Sequence, residues 1–188
     1  MMGRRRVGVL ISGRGSNLRA LLEAEQDAYA IALVVSNRPD APGLAIARAA
    51  GVPVHAPAPD GRGRAAWEAE ADAALRAAGV ELVALAGYMR ILSPAFVAGW
   101  EGRMVNIHPS LLPLYKGLDT HARAIAAGDA EGGCSVHLVT AALDDGPVLA
   151  QARVPIHAGD TPETLAARVL VEEHRLYPRA LAELARGL

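Results

Sequence analysis

The 188-residue sequence predicts an α/β fold: a doubly wound, mostly parallel sheet with an antiparallel C-terminal hairpin and a long C-terminal helix. Three features carry this reading. Short apolar runs such as VGVLI, IALVVSN and ELVALAG alternate with amphipathic stretches, the pattern of parallel strands covered on both faces by helices. Gly51 and Gly79 stand where the second and third helical stretches should stop in a left-handed cap. Near the C-terminus two extended runs are separated by only AALDDG, too short for the dozen or more residues of a parallel crossover.

Taken in order, VGVLI (7–11) is the first strand, because its apolar stretch is shorter than the roughly 7 to 15 residues of a secretory signal. A helix at LRALLEAEQ (18–26), a strand at IALVVSN (31–37), a helix at GLAIARAAG (43–51) and a strand at VPVHAP (52–57) follow. AAWEAEADAALRAAG (65–79) is helical, ELVALAG (81–87) a strand, PAFVAGW (94–100) helical and MVNIH (104–108) a strand. After Pro113 the rhythm changes. LYKGLD leads to a short helix at THARAIAAG (120–128), and CSVHLVT (134–140) then pairs with PVLAQARVPI (147–156) as a hairpin. The remainder from Asp160 is one long helix, with Thr161 in its cap region, Glu163 and Glu173 further on, and Pro178 expected to kink or break it. A single domain is expected over residues 1–188, with a doubly wound phosphate-binding half at 1–100 and a catalytic half at 101–188.

Hydrophobic residues make up 52% of the chain and aromatic ones 4%, so the core should be aliphatic and close-packed. Nineteen basic residues against twenty acidic ones leave a net charge of -1, which argues against a nucleic-acid partner while permitting a local anion site. No stretch reaches the ~18 to 20 apolar residues of a membrane span. Cys134, the one cysteine, excludes an internal disulfide framework. The expectation is a soluble cytoplasmic protein acting on small molecules.

Three segments can carry chemistry. SGRGSNL (12–18) joins a strand to a helix, and its glycines and the helix N-terminus suit a phosphate; an ordinary turn fits the same residues. The dinucleotide fingerprint fails at its third glycine, where Leu18 stands. In MVNIHPSLLP (104–113), Asn106 and His108 share one side of an extended chain that Pro109 ends. An amide and an imidazole fixed together suit a carbonyl oxygen that becomes negative during attack, although such residues also serve to bind the next loop. TAALDDGPV (140–148) is first a turn signal, and a carboxylate from it beside His108 would favour the imidazolium. Cys134 and His137 alternate to opposite faces, so a nucleophile–base pair is not expected, and His55, His121, His157 and His174 have no metal-ligand spacing. No metal is predicted.

The motifs ISGRGSNL, LAGYMRILSPAFV, NIHPSLLP, GCSVHLVTAALDDGPV and ARVLVEEHRLYP together resemble the phosphoribosylglycinamide formyltransferases, a family of 10-formyltetrahydrofolate-dependent enzymes of purine synthesis, from about Val7 to the C-terminus. The resemblance implies a catalytic trio of Asn106, His108 and Asp144. It implies a loop for the substrate's 5'-phosphate at Gly13, Gly15, Ser16 and Asn17, with Glu173 holding the glycinamide end. Arg64, the run Met89, Arg90, Ile91 and Leu92, Asn106, and the run Thr140, Ala141, Ala142, Leu143 and Asp144 match segments lining a folate pocket. It further implies 10-formyltetrahydrofolate as formyl donor, no metal, and a monomer or homodimer. Leu170, Asp119, Leu114 and Lys116 depart from the family pattern on the substrate side. A hydrolase of the same folate would share the trio and release formate. An NADP-dependent oxidoreductase or a phosphosugar-binding module would account for the glycine-rich loop and leave NIHPSLLP unexplained.

Overall fold

In the computed structural model, which describes residues 3–24, 27–58 and 61–188, the apolar runs form one seven-stranded sheet of order β3-β2-β1-β4-β5-β6-β7. The strands are β1 (Arg5–Ile11), β2 (Tyr29–Ser36), β3 (Val54–His55), β4 (Leu82–Leu85), β5 (Met104–His108), β6 (Glu131–Leu138) and β7 (Val148–Pro155). The helices are α1 (Ser16–Glu23), α2 (Gly43–Ala49), α3 (Gly63–Ala77), α4 (Pro94–Gly99), α5 (Thr120–Ala127) and α6 (Pro162–Gly187). The pairings β1–β2, β1–β4, β2–β3 and β4–β5 are parallel, and β5–β6 and β6–β7 are antiparallel.

Strand order reverses between β1 and β4, and a parallel sheet opens its ligand crevice at that point. Here the two loops are tied together. Ser12 N donates to the Gly87 carbonyl at 3.1 Å, and the Ser12 hydroxyl accepts from Met89 N at 2.9 Å. Both faces of the sheet are covered, as continuous apolar strands require. One core packs Leu18, Leu21, Leu44, Leu165, Val169 and Leu181 of α1, α2 and α6 on Val7, Val9, Val105 and Ile107. The other packs Leu75, Phe96 and Val97 of α3 and α4, with Trp100, on Leu10, Val83, Leu85 and Met104.

Three local expectations change. The helix expected over 18–26 ends at Glu23, and its last two residues lie outside the described ones, as do Met1 and Met2. The strand expected at 52–57 is two residues long. Pro178 does not break α6, which runs as one helix from Pro162 to Gly187. A mid-helix proline costs about 3 kcal/mol, but Leu176, Tyr177, Ala180 and Leu181 are all buried around it, and burial of one such large apolar side chain contributes about 1.5–3 kcal/mol. The α6 cap is Thr161, and its reciprocal partner is Thr164, not a glutamate. Among the described residues no helix is long and apolar enough to cross a membrane.

Candidate active site

Alternation along β5 sends Val105 and Ile107 into the core beneath α6, and Asn106 and His108 to the opposite face. Antiparallel pairing then sets His137 of β6 opposite Asn106, and Ser135 opposite His108. Cys134 points the other way, into the α6-side core, where burial and the nearby Glu173 carboxylate push its thiol up to about 12. It is no nucleophile.

Two loops close over the polar face. Ser135 anchors the first, its hydroxyl accepting from Leu112 N at 3.0 Å and donating to the Ser110 carbonyl at 2.7 Å. Further along, the Tyr115 hydroxyl donates to Asp129 at 2.6 Å, and the Arg123 guanidinium stacks over the Tyr115 ring while donating to the carbonyls of Lys116 and Leu118. The Tyr115 carbonyl oxygen consequently stands 2.9 Å from His108 Nε2. The second loop is the β6–β7 turn. It folds back so that Asp144 Oδ2 lies 3.4 Å from His108 Nδ1 and accepts Gly117 N at 2.9 Å, while Oδ1 is 3.6 Å from His137 Nε2. One buried carboxylate thus sits between two imidazoles. Asp144 adopts a left-handed backbone (φ 49), an uncommon conformation that aspartate tolerates better than most residues and that these contacts hold in place. Lys116, one of the family departures, pairs with the neighbouring Asp145.

His137 is 2% exposed. Burial holds its ring below the ordinary histidine value, against the opposing pull of the Leu138 carbonyl and Asp144, so the ring is neutral at pH 7. The sequence placed no role on His137, because its partner Asn106 is fixed by strand register rather than by spacing along the chain.

At the end of β1 the glycine-rich loop docks on α2. Gly15 has φ 76, and a Cβ there would lie 2.7 Å from the Gly43 Cα, so the approach requires glycine. Gly43 N donates to the Gly13 carbonyl at 2.9 Å. Ser16 opens α1, whose N-terminus has no side-chain cap, leaving its N–H groups for an anion. Asn17 turns inward, and its Nδ2 donates to Glu173 Oε2 at 2.8 Å. Its Oδ1 is buried without a partner among the described residues. Burial raises Glu173, and the Asn17 N–H partly offsets this.

Beside β4, Arg64 Nη1 reaches the Ile91 carbonyl at 3.4 Å, and Glu68 accepts both the backbone N–H and the hydroxyl of Ser93. Leu92 is buried, whereas Met89 and Ile91 are 72% and 67% exposed. Across the site the Thr140 hydroxyl donates to the Ala142 carbonyl at 3.3 Å, and Leu143 is 57% exposed. Of the remaining departures, Asp119 has φ 56 just before α5, Leu114 is exposed and Leu170 is half-buried on α6. Among the described residues no histidine, cysteine and carboxylate cluster could hold a metal ion.

Residues 5–181 match the family model described as formyl transferase. The chain is 48% identical over 185 residues to the phosphoribosylglycinamide formyltransferase of Escherichia coli, covering 95% of this chain and 86% of that protein. It is 46% identical over 190 residues to the trifunctional purine biosynthetic protein adenosine-3 of Drosophila melanogaster, covering 98% of this chain and 14% of that much longer protein. The crystal structure of the phosphoribosylglycinamide formyltransferase of Brucella melitensis superposes with a TM-score of 0.92 at 51% identity, covering 98% of this chain and 97% of that one.

Proposed function

The chain belongs to the formyl transferase family, and from that premise we propose that it transfers the formyl group of 10-formyltetrahydrofolate to the amine of 5'-phosphoribosylglycinamide, in purine synthesis in the cytoplasm. The observation that carries this reading is the gathering of Asn106, His108 and Asp144 on one face although Asp144 is distant from them along the chain. The folate supplies the formyl group. Attack by the substrate amine makes the formyl oxygen negative, and preorganised N–H donors stabilise that charge far more than water reorganising around it would. Asn106 Nδ2 is one such donor, and the His108 Nε2–H, which meets the Tyr115 carbonyl at 2.9 Å, is the other once it turns to the formyl oxygen. Asp144 faces His108 Nδ1 and orients the ring, and Gly117 N in turn holds Asp144.

In this reading the loop of Gly13, Gly15, Ser16 and Asn17 receives the 5'-phosphate, and Glu173 takes the glycinamide end. Arg64, the run 89–92 and the run 140–144 line the folate pocket, where exposed Met89, Ile91 and Leu143 offer apolar contact. The whole chain works as one domain, residues 1–100 carrying the phosphate loop and 101–188 most of the catalytic groups.

Incubation of the chain with 10-formyltetrahydrofolate and glycinamide ribonucleotide should yield formylglycinamide ribonucleotide and tetrahydrofolate in equal amounts. Formate released without the ribonucleotide would instead make the chain a hydrolase.

A further inference from the structure

His137 is the buried titratable group at the site that the mechanism above leaves without a task. Its Nδ1 lies 3.0 Å from the Leu138 carbonyl oxygen. A carbonyl only accepts, so Nδ1 carries the proton, and in a neutral ring Nε2 is then a bare acceptor. Nε2 stands 3.3 Å from Asn106 Nδ2. Only one orientation of the Asn106 amide satisfies this contact, because the reversed amide would press its carbonyl oxygen against the lone pair. The amide nitrogen has two N–H groups, and His137 uses one.

We propose that His137 is a positioning residue for formyl transfer: with its tautomer fixed by the Leu138 carbonyl, it holds the Asn106 carboxamide so that the second N–H faces the developing oxyanion. This rests on the assignment of Asn106 as an oxyanion donor. Without His137 the amide is free to turn over, and an amide oxygen facing the reacting oxygen would repel the charge that the N–H should stabilise. Among the described residues the titratable groups facing the ring are Asp144, 3.6 Å from Nε2, and His108 on the same carboxylate. Burial keeps the ring neutral, which leaves Nε2 free to accept.

The test is steady-state kinetics on the full chain with His137→Leu, His137→Gln, Asn106→Ala and the double variant His137→Leu with Asn106→Ala. His137→Leu should lower kcat about tenfold or more with both KM values nearly unchanged, since the lost interaction matters in the transition state. His137→Gln, whose side-chain oxygen can accept the same N–H, should recover most of the rate. In the Asn106→Ala background the leucine substitution should cost less than about twofold, because residues acting through one another are non-additive. Equal losses in both backgrounds, with Asn106→Ala itself impaired, overturn the positioning role alone. An unchanged kcat for Asn106→Ala overturns the oxyanion assignment and the positioning role with it. Nitrogen-15 NMR of the unsubstituted protein gives a separate readout: an Nδ1–H, bare-Nε2 signature is expected, and an Nε2–H tautomer overturns the proposal.

Discussion

Asn106→Ala deletes an N–H donor while leaving the β5 backbone bonds in place, so its effect should fall on kcat. A loss of ~10² or more is expected, as for removal of one oxyanion donor elsewhere, and an unchanged kcat would take Asn106 out of that role. Glu173 makes a different kind of prediction. Burial raises its carboxyl above the ordinary 4.5, so from that pH up to its folded value the native protein binds more protons than the unfolded chain. Its contribution to stability therefore falls as pH rises through that window and stays low above it. Glu173→Gln keeps an acceptor for Asn17 and removes the titration. Its Tm relative to wild type should rise as pH increases from about 4 to about 8, and a flat difference would contradict burial as the cause.

At the scale of elements, the long C-terminal helix begins on a built terminus. Thr164 N donates to the Thr161 hydroxyl at 3.3 Å and Thr161 N to the Thr164 hydroxyl at 2.9 Å. Just before the cap, Arg168 clamps Asp160 with two bonds of 2.8 and 3.0 Å, and holds that carboxyl well below the usual range. This support is present above the unfolded value of Asp160 and is lost as pH falls through the folded one. Thr161→Ala should cost about 1 kcal/mol in denaturant unfolding, with Thr161→Ser retaining most of it. A cost indistinguishable from zero would mean that packing alone sets where α6 starts. The same helix carries Pro178 without interruption, because the apolar side chains around it are buried and a sequence rule about prolines contains no term for them.

Across the whole molecule, Tyr177 of α6 joins the C-terminal helix to the centre of the sheet, its hydroxyl 2.8 Å from the Leu85 carbonyl and 3.2 Å from that of Val105. Tyr177→Phe leaves both strand carbonyls without that donor in a fully buried place and should cost about 1–3 kcal/mol, read as a lower denaturant midpoint at unchanged m. A loss below about 0.5 kcal/mol would show that the contact is incidental. Much of this architecture was legible in the residues: short apolar runs such as VGVLI and LVALAG alternating with amphipathic stretches point to strands buried on both faces, and the AALDDG spacing favours a hairpin over a crossover. Period-two alternation likewise puts Asn106 and His108 on one side of their strand. The meeting of Asp144 with His108 was implied only by the family resemblance, and the pairing of His137 with Asn106 and the contact of Asn17 with Glu173 across 156 residues were not legible. The sequence by itself determined which residue types were available and on which face of their own strand they stood, since those depend on local backbone geometry. Tertiary structure alone decided which of them touch, because register between strands and the fold-back of a turn are settled by how the whole core packs.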